Sequence, residues 1–421
     1  MKVMILALEF TPELNGGLGT HVWELARGLG LFGHQVTVLA FASGDSKILS
    51  APNVTVHLIS PTAASLTIAA SSMVKGILSF NEDLVAYGKT LINEQEGKPD
   101  IIQYYSWITF QAALQLQRMF EIPLIGMVSY ISDPVEEWWG QELDPEIAEQ
   151  ERVVFKEGDC FIAVSNWIRT LIQAKHAVPD DRIYVVHNGL DVRQFIREDL
   201  RAEDTYKLRR SIADTDQKIV LFAGRLNLMK GIPALFASAA EVVKEKQNVR
   251  YLLVGEADSR DFPQFIGQLF QEYPILEGKV KMLGKVPRRQ LALLYRIADI
   301  FVMPSLYEPF AWVAVEAMAA GLPVVSVNAG GTVEIVEHGR NGLLAPIYPR
   351  EAKPHEIDVG CLAEAQLKLL NDEALAKQYG NDGRRRVLEH FNLEKMVQST
   401  IDAYLHAMRS SQKSKIPQIW A

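Results

Sequence analysis

Short, nearly unbroken apolar runs separated by longer helical stretches recur along almost the whole chain, and this alternation confines it to one class of fold. VMILAL (3–8), QVTVLAF (35–41), IIQYY (101–105), PLIGMV (123–128), CFIAVS (160–165) and IYVVH (183–187) read as strands. A second series follows: IVLFAG (219–224), RYLLVG (250–255), VKMLG (280–284), DIFVMPS (299–305) and PVVSVN (323–328). Strands covered on both faces read as continuous apolar runs, and helices between them make the sheet parallel. The expected class is α/β, with doubly wound parallel sheets. The clearest helices are Thr20–Leu31, Leu291–Ala298 and Pro309–Ala320.

The chain has 421 residues, more than one ordinary core accommodates. Between the two series, Asn188 to Gln217 is polar and rich in charge, with RAEDTYKLRR in its middle. We expect a first domain over 1–190 and a second over 191–392, entered through a linker at 191–217. Beyond Asn341 the pattern reads as helical to the end. The tail 393–421 carries apolar residues at Met396, Ile401, Tyr404 and Leu405, which suits a helix packing back on the first domain.

Composition narrows the function. The chain is 48% hydrophobic and 22% charged, with a net charge of −8 whose excess acid lies before residue 190. An acidic surface argues against nucleic acid as a partner and against lying flat on anionic lipid. Cys160 and Cys361 stand far apart without metal spacing and read as buried thiols of a reducing compartment. MKVMILALEF reads as a buried first strand, since its apolar run is too short for a signal peptide. Pro61 to Phe80 is too polar for a membrane span. The expected location is the cytoplasm, with no transmembrane segment; peripheral membrane contact stays open, as does the oligomeric state.

Ligands of open parallel sheets bind beyond the carboxyl ends of the strands, so the loops there are the places to look for chemistry. The first strand leads into NGGLGT, where Gly16, Gly17 and Gly19 precede a helix. Glycines admit close approach and a helix amino end offers free N–H groups, so phosphate is the natural guest; a plain tight turn is the other reading. A nicotinamide dinucleotide fits less well, because the spacing is not G-x-G-x-x-G and the second strand ends without an acid for the ribose. In FAGRLNLMKG, Arg225 and Lys230 flank a loop at a strand end. They suit a diphosphate, or are ordinary surface charges. Gly330, Gly331 and Thr332 repeat the glycine-then-helix pattern after PVVSVN. Three such loops share diphosphate as a common ligand.

Glu308 and Glu316 stand eight residues apart in EPFAWVAVE. Pro309 suits a helix start, which would leave the amides near Phe310, Ala311 and Trp312 unpaired and able to donate to hydroxyls or phosphate. Glu308 can accept hydrogen bonds from a sugar, or complement the helix dipole. Glu316, among Val315, Ala317 and Met318, needs a partner if buried. Ribose hydroxyls, a buried ion pair, or exposure to solvent would each account for it.

The stretch EPFAWVAVEAMAAGLPVVSVNAGGTVEIVEHGRNGLL resembles the E-x7-E donor region of retaining GT-B glycosyltransferases, above all glycosyltransferase family 4 and the related glycogen and starch synthases. NGGLGTHVWELARGLGLFGHQVTVL, VVHNGLDVRQF and FAGRLNLMKG are similar to the family's glycine loop, inter-domain segment and Arg/Lys site, so the likeness covers residues 1 to about 408. It implies two Rossmann-like domains facing a cleft, with a UDP-, ADP- or GDP-sugar held mainly by the second and a carbohydrate, lipid or small-molecule acceptor by the first. It implies catalytic roles for Arg225, Lys230 and Glu308, and donor contacts from Gly16, Gly17, Phe310, Ala311, Trp312, Glu316 and Thr332. The diphosphate charge would fall to Arg225 and Lys230, without a metal or other cofactor.

The first domain departs from the family pattern. Leu14 replaces the lysine of glycogen synthases, QYYSWIT places Ser106 and Ile108 where polar anchors stand, and the cleft histidine falls near Ser129 or Tyr130. Ala311 replaces the glycine after E-P-F. These changes argue against glycogen synthesis. They leave Ser129, Tyr130 and Asp133 as acceptor candidates, or as residues that only fill the wall. Two alternatives stand beside a transferase of polysaccharide, glycoside or glycolipid synthesis: a nucleotide-sugar-binding regulator or scaffold with impaired catalysis, and a GT-B sugar-nucleotide epimerase.

Overall fold

The computed structural model describes residues 1–10, 17–63, 65, 72–95, 97–132, 144–196, 202–214, 216–257, 261–350 and 353–414. They form two compact units. The first holds the described residues within 1–132, 144–189 and 393–414; the second holds those within 190–392.

The sheet of the first unit has eight strands: β1 (Lys2–Leu6), β2 (Gln35–Phe41), β3 (Lys47–Ala51), β4 (Val54–Ile59), β5 (Ile101–Tyr105), β6 (Leu124–Val128), β7 (Phe161–Ala163) and β8 (Ile183–Val185). Their order is β3-β4-β2-β1-β5-β6-β7-β8, parallel except for β3, which runs antiparallel to β4. β5 and β6 are buried at every position, as continuous apolar runs require. β3 and β4 were absent from the sequence reading. KILSA is an exposed edge strand, and its weak apolar signal follows from that position.

A run of buried polar groups inside this unit is paired. Tyr404 donates to Gln103 Oε1 at 2.7 Å, and Gln103 donates to the Tyr105 hydroxyl at 3.0 Å. That chain of bonds ties the helix Leu393–Ser414 to β5. The same helix lies against Gly28 in the helix Gly17–Leu31, where an added Cβ would stand 2.4 Å from Val397 Cγ2.

The second unit has a six-stranded sheet of β9 (Lys218–Ala223), β10 (Val249–Val254), β11 (Val280–Gly284), β12 (Ile300–Met303), β13 (Val324–Val327) and β14 (Gly342–Ala345). The order β11-β10-β9-β12-β13-β14 is parallel throughout, and its direction of growth reverses between β9 and β12. Its core joins Val220, Phe222, Phe236, Leu253, Val302 and Val325. The expectation of helix from Asn341 onward is corrected. β14 completes the sheet, β15 (Ile347–Arg350) and β16 (Lys353–Ile357) form an antiparallel hairpin, and helix resumes at Val359. Among the described residues no helix is long and apolar enough to cross a membrane.

Candidate active site

β9 and β12 are hydrogen-bonded neighbours from which the sheet grows in opposite directions, so the loops leaving their carboxyl ends diverge. Arg225 and Lys230 follow β9, and Glu308 follows β12. The loops are stitched together by the amide of Leu306, which donates to the carbonyl of Met229 at 2.9 Å. Gly231 takes φ 69° where its chain passes Pro304, and a Cβ there would stand 1.8 Å from the Pro304 carbonyl oxygen. Only glycine allows that approach.

This crossing delivers Lys230 to Glu308, with Nζ 2.7 Å from Oε2. The Lys230 amide donates to Asn227 Oδ1 at 2.9 Å, which holds the loop in place. The other oxygen of Glu308 accepts the amide of Ala311 at 3.1 Å. The Glu308 carbonyl accepts the amide of Gly331 at 2.8 Å. Gly330 permits that contact, since a Cβ on it would lie 2.4 Å from the same carbonyl oxygen. Two of the three predicted anion loops therefore meet at one residue, Lys230 on the Glu308 carboxylate and Gly331 on its backbone carbonyl. A buried glutamate with a cation and an amide on separate oxygens has its plane set before any ligand arrives.

The helix after Glu308 begins later than Pro309. It spans Trp312–Ala319, with Ala311 as its cap in the left-handed region at φ 71°, ψ 52°. The expected row of unpaired amides over Phe310 to Trp312 is corrected at Ala311, whose N–H is engaged by Glu308. Phe310 is buried, edge-on to Trp312 with centroids 5.9 Å apart and to Phe391 at 6.0 Å. Its ring anchors the turn in the core.

Glu316 is buried and paired. Arg288 Nη2 lies 3.1 Å from its Oε1, and Tyr295 donates its hydroxyl to Oε2 at 3.1 Å. Burial, and then the adjacent Glu316 charge, push the Tyr295 phenol well above its usual range, so it stays a proton donor. Arg288 and Tyr295 both lie on the helix Arg288–Ile297 and were missed by the sequence reading. The signal available was a cation at the first helical position, where the dipole disfavours it.

The remaining candidates are placed as follows. Arg225 is exposed on the loop after β9. Thr332 starts the short helix Thr332–Ile335 and is fully buried, its Oγ1 enclosed without a hydrogen-bond partner. In the first unit Gly17 is exposed at the start of its helix, and Ser129 and Tyr130 directly follow β6. Gly16 and Asp133 lie outside the described residues. Two residues of this unit carried no sequence signal. Glu151 is buried and accepts the Ser132 amide at 3.1 Å and the Ser132 hydroxyl at 2.6 Å. His21 is buried, and burial depresses its imidazole to about 4, which Asn188 opposes without reversing.

Among the described residues no group of three or more His, Cys, Asp or Glu lies together as a metal site would require.

The family model for glycosyl transferases group 1 matches residues 205–386, and that for glycosyltransferase family 4 matches residues 15–194. An uncharacterized glycosyltransferase of Methanocaldococcus jannaschii is 29% identical over 419 residues, covering 97% of this chain and 99% of its own. The alpha-maltose-1-phosphate synthase of Mycolicibacterium smegmatis is 26% identical over 409 residues, covering 96% and 99%. Among solved structures, sucrose-phosphate synthase from Thermosynechococcus elongatus superposes with a TM-score of 0.81 at 24% identity, covering 97% of this chain and 99% of that one. Anabaena HepE in complex with UDP-glucose superposes with a TM-score of 0.73 at 20% identity, covering 98% and 100%. With both units matched and the fold shared, the chain belongs to the family 4 and group 1 glycosyltransferases, enzymes of hexosyltransferase type built on two Rossmann-like units of the GT-B class.

Proposed function

We propose that the protein is a retaining glycosyltransferase that moves a hexosyl group from a UDP-, ADP- or GDP-sugar to a carbohydrate, lipid or small-molecule acceptor. The observation that carries this reading is the Lys230–Glu308–Ala311 cluster at the switch point of the second sheet. Lys230 and Arg225 supply positive charge for the departing diphosphate, and Glu308 accepts hydrogen bonds from hydroxyls of the transferred sugar. Glu316 is assigned to the ribose, and the Trp312 amide and the Gly330–Thr332 loop to the donor's sugar and phosphates. Gly16 and Gly17 are assigned to the phosphates, and Ser129, Tyr130 and Asp133 to the acceptor.

In the reaction, the bond from C1 to the diphosphate oxygen breaks as positive charge grows at C1. The acceptor oxygen forms its bond to C1 on the same face, and its proton passes to the departing phosphate oxygen. Cations placed on the leaving group stabilise that transition state more than the ground state. Such an arrangement needs no side-chain base and no metal. HepE, of the same fold, holds UDP-glucose, which puts UDP-sugars first in any trial of donors. A cytoplasmic location agrees with a nucleotide-sugar substrate.

Calorimetric titration with UDP-, ADP- and GDP-sugars, followed by incubation with the tightest binder in labelled form, tests the proposal. Transfer or slow hydrolysis, with the anomeric configuration kept in the product, is the expected result. Tight binding with neither reaction would instead support a regulator or scaffold, and isomerisation of the donor alone would support an epimerase.

A further inference from the structure

Glu316 is held by residues that no motif singles out. The Arg288 guanidinium faces Oε1 at 3.1 Å, and the Tyr295 hydroxyl donates to Oε2 at 3.1 Å. Arg288 also lies over the ring of Phe195, 5.4 Å from its centroid, and that ring stands 6.2 Å from the ring of Tyr295. We infer that Arg288 and Tyr295 are positioning residues, which hold the Glu316 carboxylate in the orientation that receives the 2′- and 3′-hydroxyls of the donor ribose. This rests on the assignment of Glu316 to the ribose.

Three features carry the inference. Arg288 is the first residue of its helix, and that first turn holds no acid. A cation there opposes the helix dipole, so the position is explained by the carboxylate it meets. Tyr295 stands seven residues on, about two helical turns, and so on the same face. One helix thus presents a cation and a hydroxyl to the same carboxylate. Finally, the two contacts engage different oxygens, which sets both the direction and the plane of the carboxylate. Two vicinal hydroxyls can be received together only if that plane is set. A carboxylate oxygen accepts more than one hydrogen bond, so the clamp is compatible with a diol. Phe195 fixes the guanidinium in turn through its face.

The test uses the full chain and isothermal titration with UDP, ADP and GDP, each against its 2′-deoxy counterpart. For the tightest nucleotide, the wild type is expected to prefer the ribose form by about tenfold or more. In Arg288→Met the preference should shrink to about twofold, with Tyr295→Phe between the two and Arg288→Lys recovering part of it. Donor KM should rise about tenfold while kcat changes by less than about threefold, the split expected when ground-state and transition-state binding are lost together. A wild type without ribose preference would remove the assignment of Glu316, and the inference with it. A wild-type preference kept in full by Arg288→Met and Tyr295→Phe would overturn the positioning role and leave the assignment standing. If Arg288→Met does not fold by circular dichroism, Tyr295→Phe, which keeps the ring and removes one hydroxyl, decides the matter.

Discussion

Lys230 Nζ lies 2.7 Å from Glu308 Oε2, joining two residues 78 positions apart in the sequence. Their side chains are only 18% and 11% exposed, so the pair is largely withdrawn from water. Removing either partner leaves the other uncompensated. Lys230→Met and Glu308→Ala are each expected to lower kcat by about 10²–10³-fold, as loss of a group aimed at developing charge does. Each should also lower stability by about 1–3 kcal/mol. The double variant should be less destabilised than the sum of the two. Chemical denaturation of all four proteins measures this coupling, and strict additivity would show that the contact carries no energy.

Ala311 occupies the left-handed region, which disfavours any residue with a Cβ. Ala311→Gly is therefore expected to raise stability by about 1 kcal/mol, seen as a higher urea midpoint at unchanged slope. Gly231→Ala should act in the opposite sense and lose more than about 2 kcal/mol, because its Cβ would meet the Pro304 carbonyl oxygen at 1.8 Å. Equal midpoints for the Ala311 pair would mean that the strain is relieved elsewhere in the turn.

Burial holds His21 neutral, with its folded value near 4 against 6.5 for a solvent-exposed imidazole. A depressed value means that the unfolded chain takes up the proton first. The contribution is fully present above pH 6.5 and is lost as pH falls from there towards 4, to a total of about 3 kcal/mol. Urea midpoints measured across that window should fall in the wild type and fall less steeply in His21→Phe. Parallel pH profiles would rule His21 out as the source.

Glu151 accepts both the amide and the hydroxyl of Ser132 while only 1% of its surface is exposed. Glu151→Ala leaves two buried donors unmet, at a cost of about 2–4 kcal/mol. Hydrogen exchange at the Ser132 amide should accelerate well beyond that of β6. Unchanged protection there would show that the loop after β6 is held by other contacts.

The periodicity of apolar runs was enough to place most strands of both sheets, because strands buried on both faces have no polar alternative. It did not reveal β3, whose exposed edge removes the apolar signal, its neighbour β4, whose run VTVHLI is broken by polar residues, or β14 to β16, short strands in a stretch read as helix. The contact between Lys230 and Glu308 joins two residues that stand out in sequence where glycine, proline and charge lie close together. Arg288 and Tyr295 were not legible, because their meaning lies in a carboxylate on the next helix.

The chain's own pattern of apolar runs, glycines and paired acids determined the α/β class, two doubly wound sheets and a short set of polar residues at strand ends. Only the tertiary structure decided which of those residues touch. Whether Lys230 reaches Glu308 depends on β9 and β12 lying side by side, and on Gly231 passing beneath a carbonyl. Local sequence encodes backbone preference over a few residues. A charge contact across 78 positions is set by sheet order, which no local preference contains.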